Sequence, residues 1–235
     1  MSTCIVVTGA AGALGSATAR RLAKSGAGPL ALLDSAHHRD RLEALVQELG
    51  TGRAFTGDLA DANESASLFS RIASELGPAR GAALIAGGYA GGTPFWESPP
   101  DELTKMMRGN FDSVAHALRA MLPAMVAAKH GRVVVIGSRN VEQPWTGAGS
   151  AAYTAAKSAV VALVRAVAAE ARAHEVTLNA LLISTLDTPA NRAAMPKADP
   201  TKWVSLDAAA AQIDALLAED AREISGAAIP MYGRA

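Results

Sequence analysis

Short continuous apolar runs alternate along this chain with longer stretches whose apolar residues recur three and four positions apart. The first run is Cys4-Ile5-Val6-Val7. Leu14, Ala17, Leu22 and Ala23 then mark one helical face, with Arg20, Arg21 and Lys24 on the solvated one. A second strand is expected over 30–33, followed by a helix with Leu42, Leu45, Val46 and Leu49 on one face. Gly50 is placed to end that helix in a left-handed cap. A strand over 53–56, a helix marked by Leu68, Phe69, Ile72 and Leu76, and an apolar strand over 82–86 continue the beat. Asn110 opens a long apolar-faced stretch through Leu118, Met121, Leu122 and Met125, interrupted by Pro123. Its simplest role there is as a helix cap. A strand over 131–138 precedes a helix carrying Tyr153 and Lys157. A last helix over 208–217 and a strand over 227–231 close the pattern.

Unbroken apolar runs such as 82–86 fit strands buried on both faces. Their alternation with helices implies right-handed βαβ units and a parallel sheet. The expected fold is α/β, one doubly wound Rossmann-type domain over residues 1–235 with helices on both faces. Residues 188–203 contain Pro189, Pro196 and Pro200 and lack helical periodicity over most of their length. A long loop is expected there, acting as a lid. Met195 and Trp203 are candidates to cover a substrate, with Trp96 and Trp145 as walls.

Charge narrows the choice of partner. The 235 residues carry 22 basic and 22 acidic side chains, so no basic excess marks a nucleic-acid or anionic-membrane surface. A small-molecule substrate is the expectation that remains. No apolar stretch is both uncharged and long enough to suggest a membrane span. The single cysteine, Cys4, lies in an apolar run, which excludes an internal disulfide and fits a reducing, cytoplasmic compartment. With no basic leader before the first strand, no signal peptide is expected. Histidines 37, 38, 116, 130 and 174 show no metal-ligand spacing, so no metal is expected. Val160, Val161, Leu163, Val164 and Val167 exceed what one core-facing stripe needs, which suggests a helix-to-helix contact between copies of the chain.

Candidate chemistry gathers at the strand ends. Thr8-Gly9-Ala10-Ala11-Gly12-Ala13-Leu14-Gly15 links a strand to a helix, an arrangement that sets backbone N–H groups against a pyrophosphate. Its spacing is G-x-x-G-x-x-G rather than the commoner G-x-G-x-x-G. Asp34 closes the second strand about 20 residues beyond the glycines, the place for a carboxylate that binds an adenosine ribose. Such a carboxylate repels a 2′-phosphate, favouring NAD(H). The nearby Arg39 keeps NADP(H) open as the alternative. Asp58, Gly87 and Gly88 fall at further strand ends, and the loop Gly87-Gly88-Tyr89-Ala90-Gly91-Gly92 lets a flat ligand lie on bare backbone.

Tyr153 and Lys157 stand four residues apart, on one helical face. An ammonium beside a phenol favours the phenolate and brings its pKa down toward working pH. Ser138, at the end of the 131–138 strand, faces the same crevice. These residues resemble the short-chain dehydrogenase/reductase family over essentially the whole chain. The resemblance implies active-site roles for Asn110, Ser138, Tyr153 and Lys157. It also implies a cofactor cradle of Gly9, Ala11, Gly12, Ala13, Leu14, Gly15, Asp34, Asp58, Leu59, Ala86, Gly87, Gly88, Tyr153, Lys157 and Thr188, and assembly as a homodimer or homotetramer. Three departures stand out. Leu84-Ile85 replaces the family's Asn-Asn before Ala86-Gly87, removing a polar contact between strands. Ile183-Ser184 replaces a Pro-Gly. Ser138 lies farther before Tyr153 than usual, leaving Asn140, at the usual spacing, as its rival.

The segments 86–92 and 185–199 are also similar to the dihydropteridine reductases, which use NADH on a quinonoid pterin. Three readings therefore stand side by side: hydride transfer between a nicotinamide and a carbonyl or alcohol, reduction of a pterin-like C=N bond, and non-catalytic sensing of NAD. In the first, Tyr153 supplies the proton, Lys157 tunes it and holds the ribose, Ser138 orients the oxygen and Asn110 holds a water.

Overall fold

The computed structural model describes residues 3–234; Met1, Ser2 and Ala235 of the expected domain lie outside the described residues. Strands β1 (Cys4–Thr8), β2 (Leu30–Asp34), β3 (Arg53–Thr56), β4 (Ala79–Leu84), β5 (Gly131–Ser138), β6 (Val176–Ile183) and β7 (Ala228–Met231) form one sheet. Its order is β3-β2-β1-β4-β5-β6-β7, and every neighbouring pair is parallel. The connecting helices are α1 (Ala13–Lys24), α2 (Arg39–Leu49), α3 (Ala62–Leu76), α4 (Glu102–Met106), α5 (Ser113–Ala128), α6 (Ala151–Ala171), α7 (Pro189–Ala194) and α8 (Leu206–Leu217). This is the doubly wound parallel architecture that the alternation of apolar runs implied.

The apolar runs are continuous because successive side chains of a strand feed opposite layers. Val6, Leu33, Phe55, Ala82, Val133, Val135, Leu178 and Leu182 join Phe69 of α3, Met121 of α5 and Val160 of α6 on one face. Ile5, Val7, Leu32, Ala83, Val134 and Leu181 join Leu22 of α1, Leu42 of α2 and Ile213 of α8 on the other. Cys4 is fully buried, and burial pushes its thiol up to about 11, as befits a core residue. Gly50 ends α2 at φ 62, in the expected left-handed cap.

Three expectations change. Strand β4 stops at Leu84 rather than 86, because the amides of Ile85 and Ala86 leave the ladder and donate to Thr8 Oγ1 at 2.9 and 3.0 Å. Segment 188–203 is not a plain loop. Thr188 Oγ1 accepts from Asn191 N, and Pro189 fills the first position of α7, where its missing N–H costs nothing. Pro200 likewise opens a 3₁₀ turn over Pro200–Lys202, so two of the three prolines start helical turns. Finally, Val160, Val161 and Val164 face the chain's own core, leaving only Leu163 and Val167 half-buried from the expected intermolecular face. By length and composition Ala151–His174 is apolar enough to cross a bilayer, but here the helix lies along the sheet.

Thr8 is 1% exposed, and its hydroxyl serves the amides of two half-buried residues. Thr8→Val keeps the shape and orphans both amides. The expected loss is about 1–3 kcal/mol for each buried donor left unmet, read as a lower midpoint in thermal unfolding. An unchanged midpoint would show that the hydroxyl does not carry this junction.

Candidate active site

Successive crossovers run from β1 to β2 and β3 on one side, then from β4 outward on the other. The crevice beyond the carboxyl ends of such strands is where doubly wound sheets bind ligands. A cleft of about 770 Å³ opens there, lined by the glycine turn, Asp34 to His38, Gly57 to Ala60, and Ile85 to Gly88. Gly9 takes φ 64, a left-handed conformation, and a Cβ on it would press on the Ala86 backbone at 3.0 Å. A Cβ on Gly15 would run into the Gly9 carbonyl, so α1 starts hard against the turn. Gly12 at the N-cap supplies no side-chain hydrogen bond, and the first turn of α1 carries no acid. Ala13 and Leu14 line the cleft. An uncapped helix start facing a cleft fits an anionic pyrophosphate.

At the far end of this cleft, Asp34 holds three donors. Its Oδ2 accepts from Ala11 N at 2.9 Å, and its Oδ1 accepts from Ser35 N at 2.8 Å and meets His38 Nδ1 at 2.7 Å. Ala11 thus contributes its backbone amide to Asp34 and does not itself line the cleft. Arg39, the residue that kept a 2′-phosphate open, donates to Thr56 Oγ1 and pairs with Glu43. Asp58 is engaged by Ala60 N and by Arg108 at 2.7 Å; the backbone bond first, then Arg108, hold its carboxyl below the usual range. Leu59 is buried beneath it.

Asn110 is not a helix cap. It sits fully buried in a π-helical turn, Met107–Asp112, between α4 and α5. Its Nδ2 donates to Gly88 O at 3.1 Å and Met106 O at 3.0 Å, while Oδ1 accepts from Gly88 N at 3.3 Å. The wide turn therefore clamps the strand-end glycines, a common use of π-bulges. A Cβ on Gly87 would lie 2.5 Å from Asn110 Oδ1 and 3.5 Å from Lys157 Nζ, which places all three at one spot.

Ser138, buried at the end of β5, stands near enough to Tyr153 to lower its phenol pKa, and its Oγ accepts from Asn140 N at 3.3 Å. Asn140 turns elsewhere: its Nδ2 donates to Thr154 Oγ1 at 3.2 Å and its Oδ1 accepts from Thr146 at 3.1 Å. Two 3₁₀ turns, Arg139–Val141 and Pro144–Gly147, take up the extra loop length. Of the two rivals, Ser138 reaches the phenol and Asn140 props the loop.

Tyr153 is half-buried, with the Tyr89 ring edge-on at 5.1 Å and 70°. Burial raises its pKa above the ordinary value, the neighbouring Ser138 hydroxyl offsets part of this, and Tyr89 adds to it. The Lys157 ammonium lies 5.9 Å from the phenol ring centre and donates to Ile136 O at 2.8 Å. Complete burial depresses that lysine to about 8. The expected lowering of Tyr153 by Lys157 is therefore absent from this state, because desolvation favours the neutral form of both groups.

Thr188 caps α7 and stands outside the residues lining the cleft. Trp96 and Trp145 are 83% and 72% exposed, so neither walls a closed pocket, and Met195 is exposed as well. Trp203 is half-buried. Among the described residues no cluster of three metal-binding side chains occurs. Sequence reading missed Tyr89 as a neighbour of Tyr153 and His38 as a partner of Asp34. The second was legible, since the two stand four positions apart.

The family model for short chain dehydrogenase matches residues 3–199. The chain is similar to 2-dehydro-3-deoxy-L-rhamnonate dehydrogenase (NAD(+)) of Sphingomonas sp. (strain SKA58), 28% identical over 79% of this chain and 73% of that one. It is also similar to D-beta-hydroxybutyrate dehydrogenase of Rhizobium meliloti (strain 1021), 26% identical over 99% and 98%. In architecture it matches the structure of NAD+-bound xylitol dehydrogenase with a TM-score of 0.88, at 23% identity and 98% coverage of both chains.

Ser138→Ala removes the one neighbour that lowers the Tyr153 phenol, so Tyr153 is expected to titrate at a higher pH in that variant. Ultraviolet titration, with the Tyr153→Phe protein subtracted to isolate this phenol, reads the shift. An unmoved midpoint would separate the two hydroxyls.

Proposed function

This chain belongs to the short-chain dehydrogenase family, and on that premise we propose that it prefers NAD(H) and passes a proton between Tyr153 and the oxygen of a ketone or alcohol. It is an oxidoreductase of CH–OH and C=O groups that uses a nicotinamide cofactor and acts on small molecules. The observation that carries the proposal is the gathering of Ser138, Tyr153 and Lys157 next to Gly87, a residue that lines the same cleft as Asp34.

The residues present fit the cofactor. The uncapped start of α1 suits a pyrophosphate, Asp34 retains acceptor capacity for a ribose hydroxyl, and Gly87 and Gly88 leave a wall without side chains. When bound, the nicotinamide supplies or removes the hydride. The protein's own groups handle the proton. In reduction, the Tyr153 hydroxyl donates to the substrate oxygen and is left as phenolate. The nearby Lys157 ammonium stabilises that developing charge more strongly in a dry site than in water. Ser138 Oγ, beside Tyr153, is the group to donate to the same substrate oxygen and fix its direction. Asn110 holds Gly88 and the strand end in place. Reduction requires the protonated phenol and the charged lysine, so its rate is expected to fall as pH rises through about 8, where Lys157 loses its charge.

The relatives named for a hydroxy acid and a deoxy sugar acid support the carbonyl reading. Neither the pterin reading nor the sensor reading gains support from them.

The test is a screen of NADH oxidation against β-keto acids, keto sugar acids and simple ketones, with a quinonoid dihydropterin alongside, using wild type and Asp34→Ala. Wild type is expected to turn over at least one carbonyl compound with NADH and to bind NADPH more weakly. Asp34→Ala is expected to narrow that gap by weakening NADH. A wild-type preference for NADPH would overturn the cofactor assignment, and turnover of the pterin alone would overturn the substrate class.

A further inference from the structure

Asp34 has less room for a ribose than its position suggests. A carboxylate offers about four acceptor sites, two on each oxygen. Oδ1 already takes two donors, Ser35 N at 2.8 Å and His38 Nδ1 at 2.7 Å, while Oδ2 takes only Ala11 N. A ribose diol that donates one hydroxyl to each oxygen finds one site free on Oδ2 and none on Oδ1. The backbone amides of Ala11 and Ser35 are fixed by the turn. His38 is the movable donor: it ends the 3₁₀ turn Ala36–His38, and its side chain is 41% exposed on the cleft wall.

We propose that His38 competes with the cofactor's adenosine ribose for Asp34 and makes the choice between NADH and NADPH depend on pH. The proposal rests on the cofactor reading of the cleft. Histidine is the side chain whose charge changes across near-neutral pH. As imidazolium, His38 binds the carboxylate more tightly, since charge-assisted hydrogen bonds are the stronger kind. Acid therefore closes Oδ1 against the ribose and weakens NADH. The same pairing cancels the Asp34 charge, which is the group that repels a 2′-phosphate, so acid favours NADPH relatively. With His38 neutral, the ring yields to the diol and the bare carboxylate selects NADH.

Other charges around the ring do not substitute for it. His37 lies on the same turn, and Asp58 and Glu64 stand across the cleft. On α2, Asp40 lies in the first turn, Arg41 follows, and Arg39 is held by Thr56 and Glu43. The only imidazole within hydrogen-bonding distance of the Asp34 carboxylate among the described residues is that of His38.

The experiment measures dissociation constants of NADH and NADPH by fluorescence between pH 6 and 8.5 for wild type, His38→Ala and His38→Gln. In wild type the ratio of NADPH to NADH dissociation constants is expected to fall roughly 3–10-fold from high to low pH, the scale of one ordinary net hydrogen bond. His38→Ala is expected to bind NADH more tightly than wild type at low pH. His38→Gln, which donates to Asp34 without titrating, is expected to keep the weaker NADH binding at all pH values. A 2′-phosphate itself titrates at about pH 6, so the difference between wild type and both variants carries the result. Identical pH profiles in wild type and His38→Ala, with NADH bound by both, would overturn the competition alone. Failure of NADH to bind either protein at any pH would overturn the cofactor reading and the competition with it.

Discussion

The β1–β4 ladder ends at Leu84, and one hydroxyl, Thr8 Oγ1, takes the next two amides, of Ile85 and Ala86. Most of the site depends on that junction. It lets Ala86 pass against Gly9 at a distance that admits no side chain, and it delivers Gly87 and Gly88 to the cleft as bare backbone. Asn110 then fixes Gly88 from the opposite side through both ends of its amide. The polar contact expected to be lost with Leu84-Ile85 is thus replaced from β1, by a buried threonine. Winding direction does the rest: strands diverge on either side of this junction, and the crevice lies where they part.

The two ends of the crevice solve opposite electrostatic problems. At one end, a partly buried carboxylate accepts from two backbone amides and is shared with an imidazole. At the chemical end, a phenol and an ammonium are both pressed toward neutrality by burial, in opposite directions on the pH scale. Only Ser138 works against this for the phenol. The arrangement keeps Tyr153 protonated and Lys157 mostly charged near neutral pH, the combination that carbonyl reduction needs. In the proposed reaction, charge separation develops only when the proton leaves Tyr153, so the ammonium would act on the transition state more than on the resting enzyme.

Strand positions were readable because residues buried on both faces leave unbroken apolar runs, and the glycine turn because only bare backbone fits between Gly9, Gly15 and Ala86. Ser138, Tyr153 and Lys157 were legible from order and spacing, and they do meet. What sequence pattern could not supply was direction. Asn140 has the more usual spacing, yet it faces Thr154 and Thr146 because two 3₁₀ turns absorb the longer loop. Asn110 reads as a cap until the π-helical turn is seen to bury it. Prolines 189 and 200 suggest an unstructured lid, but a preceding threonine or aspartate cap turns each into the first residue of a helical turn. The apolar surplus on α6 suggested a surface, whereas three of its valines belong to the core.

The central claim is that the Tyr153 hydroxyl moves the proton while the rest of the cleft binds. Tyr153→Phe keeps the ring against Tyr89 and removes only the hydroxyl. Comparing its turnover and NADH affinity with those of wild type, on a carbonyl substrate, separates the two roles. The expected result is a loss of roughly 10²–10⁴-fold in turnover, the scale of general-acid help, with NADH affinity little changed. Near-normal turnover in the variant would contradict the account and return α6 to the status of scaffold.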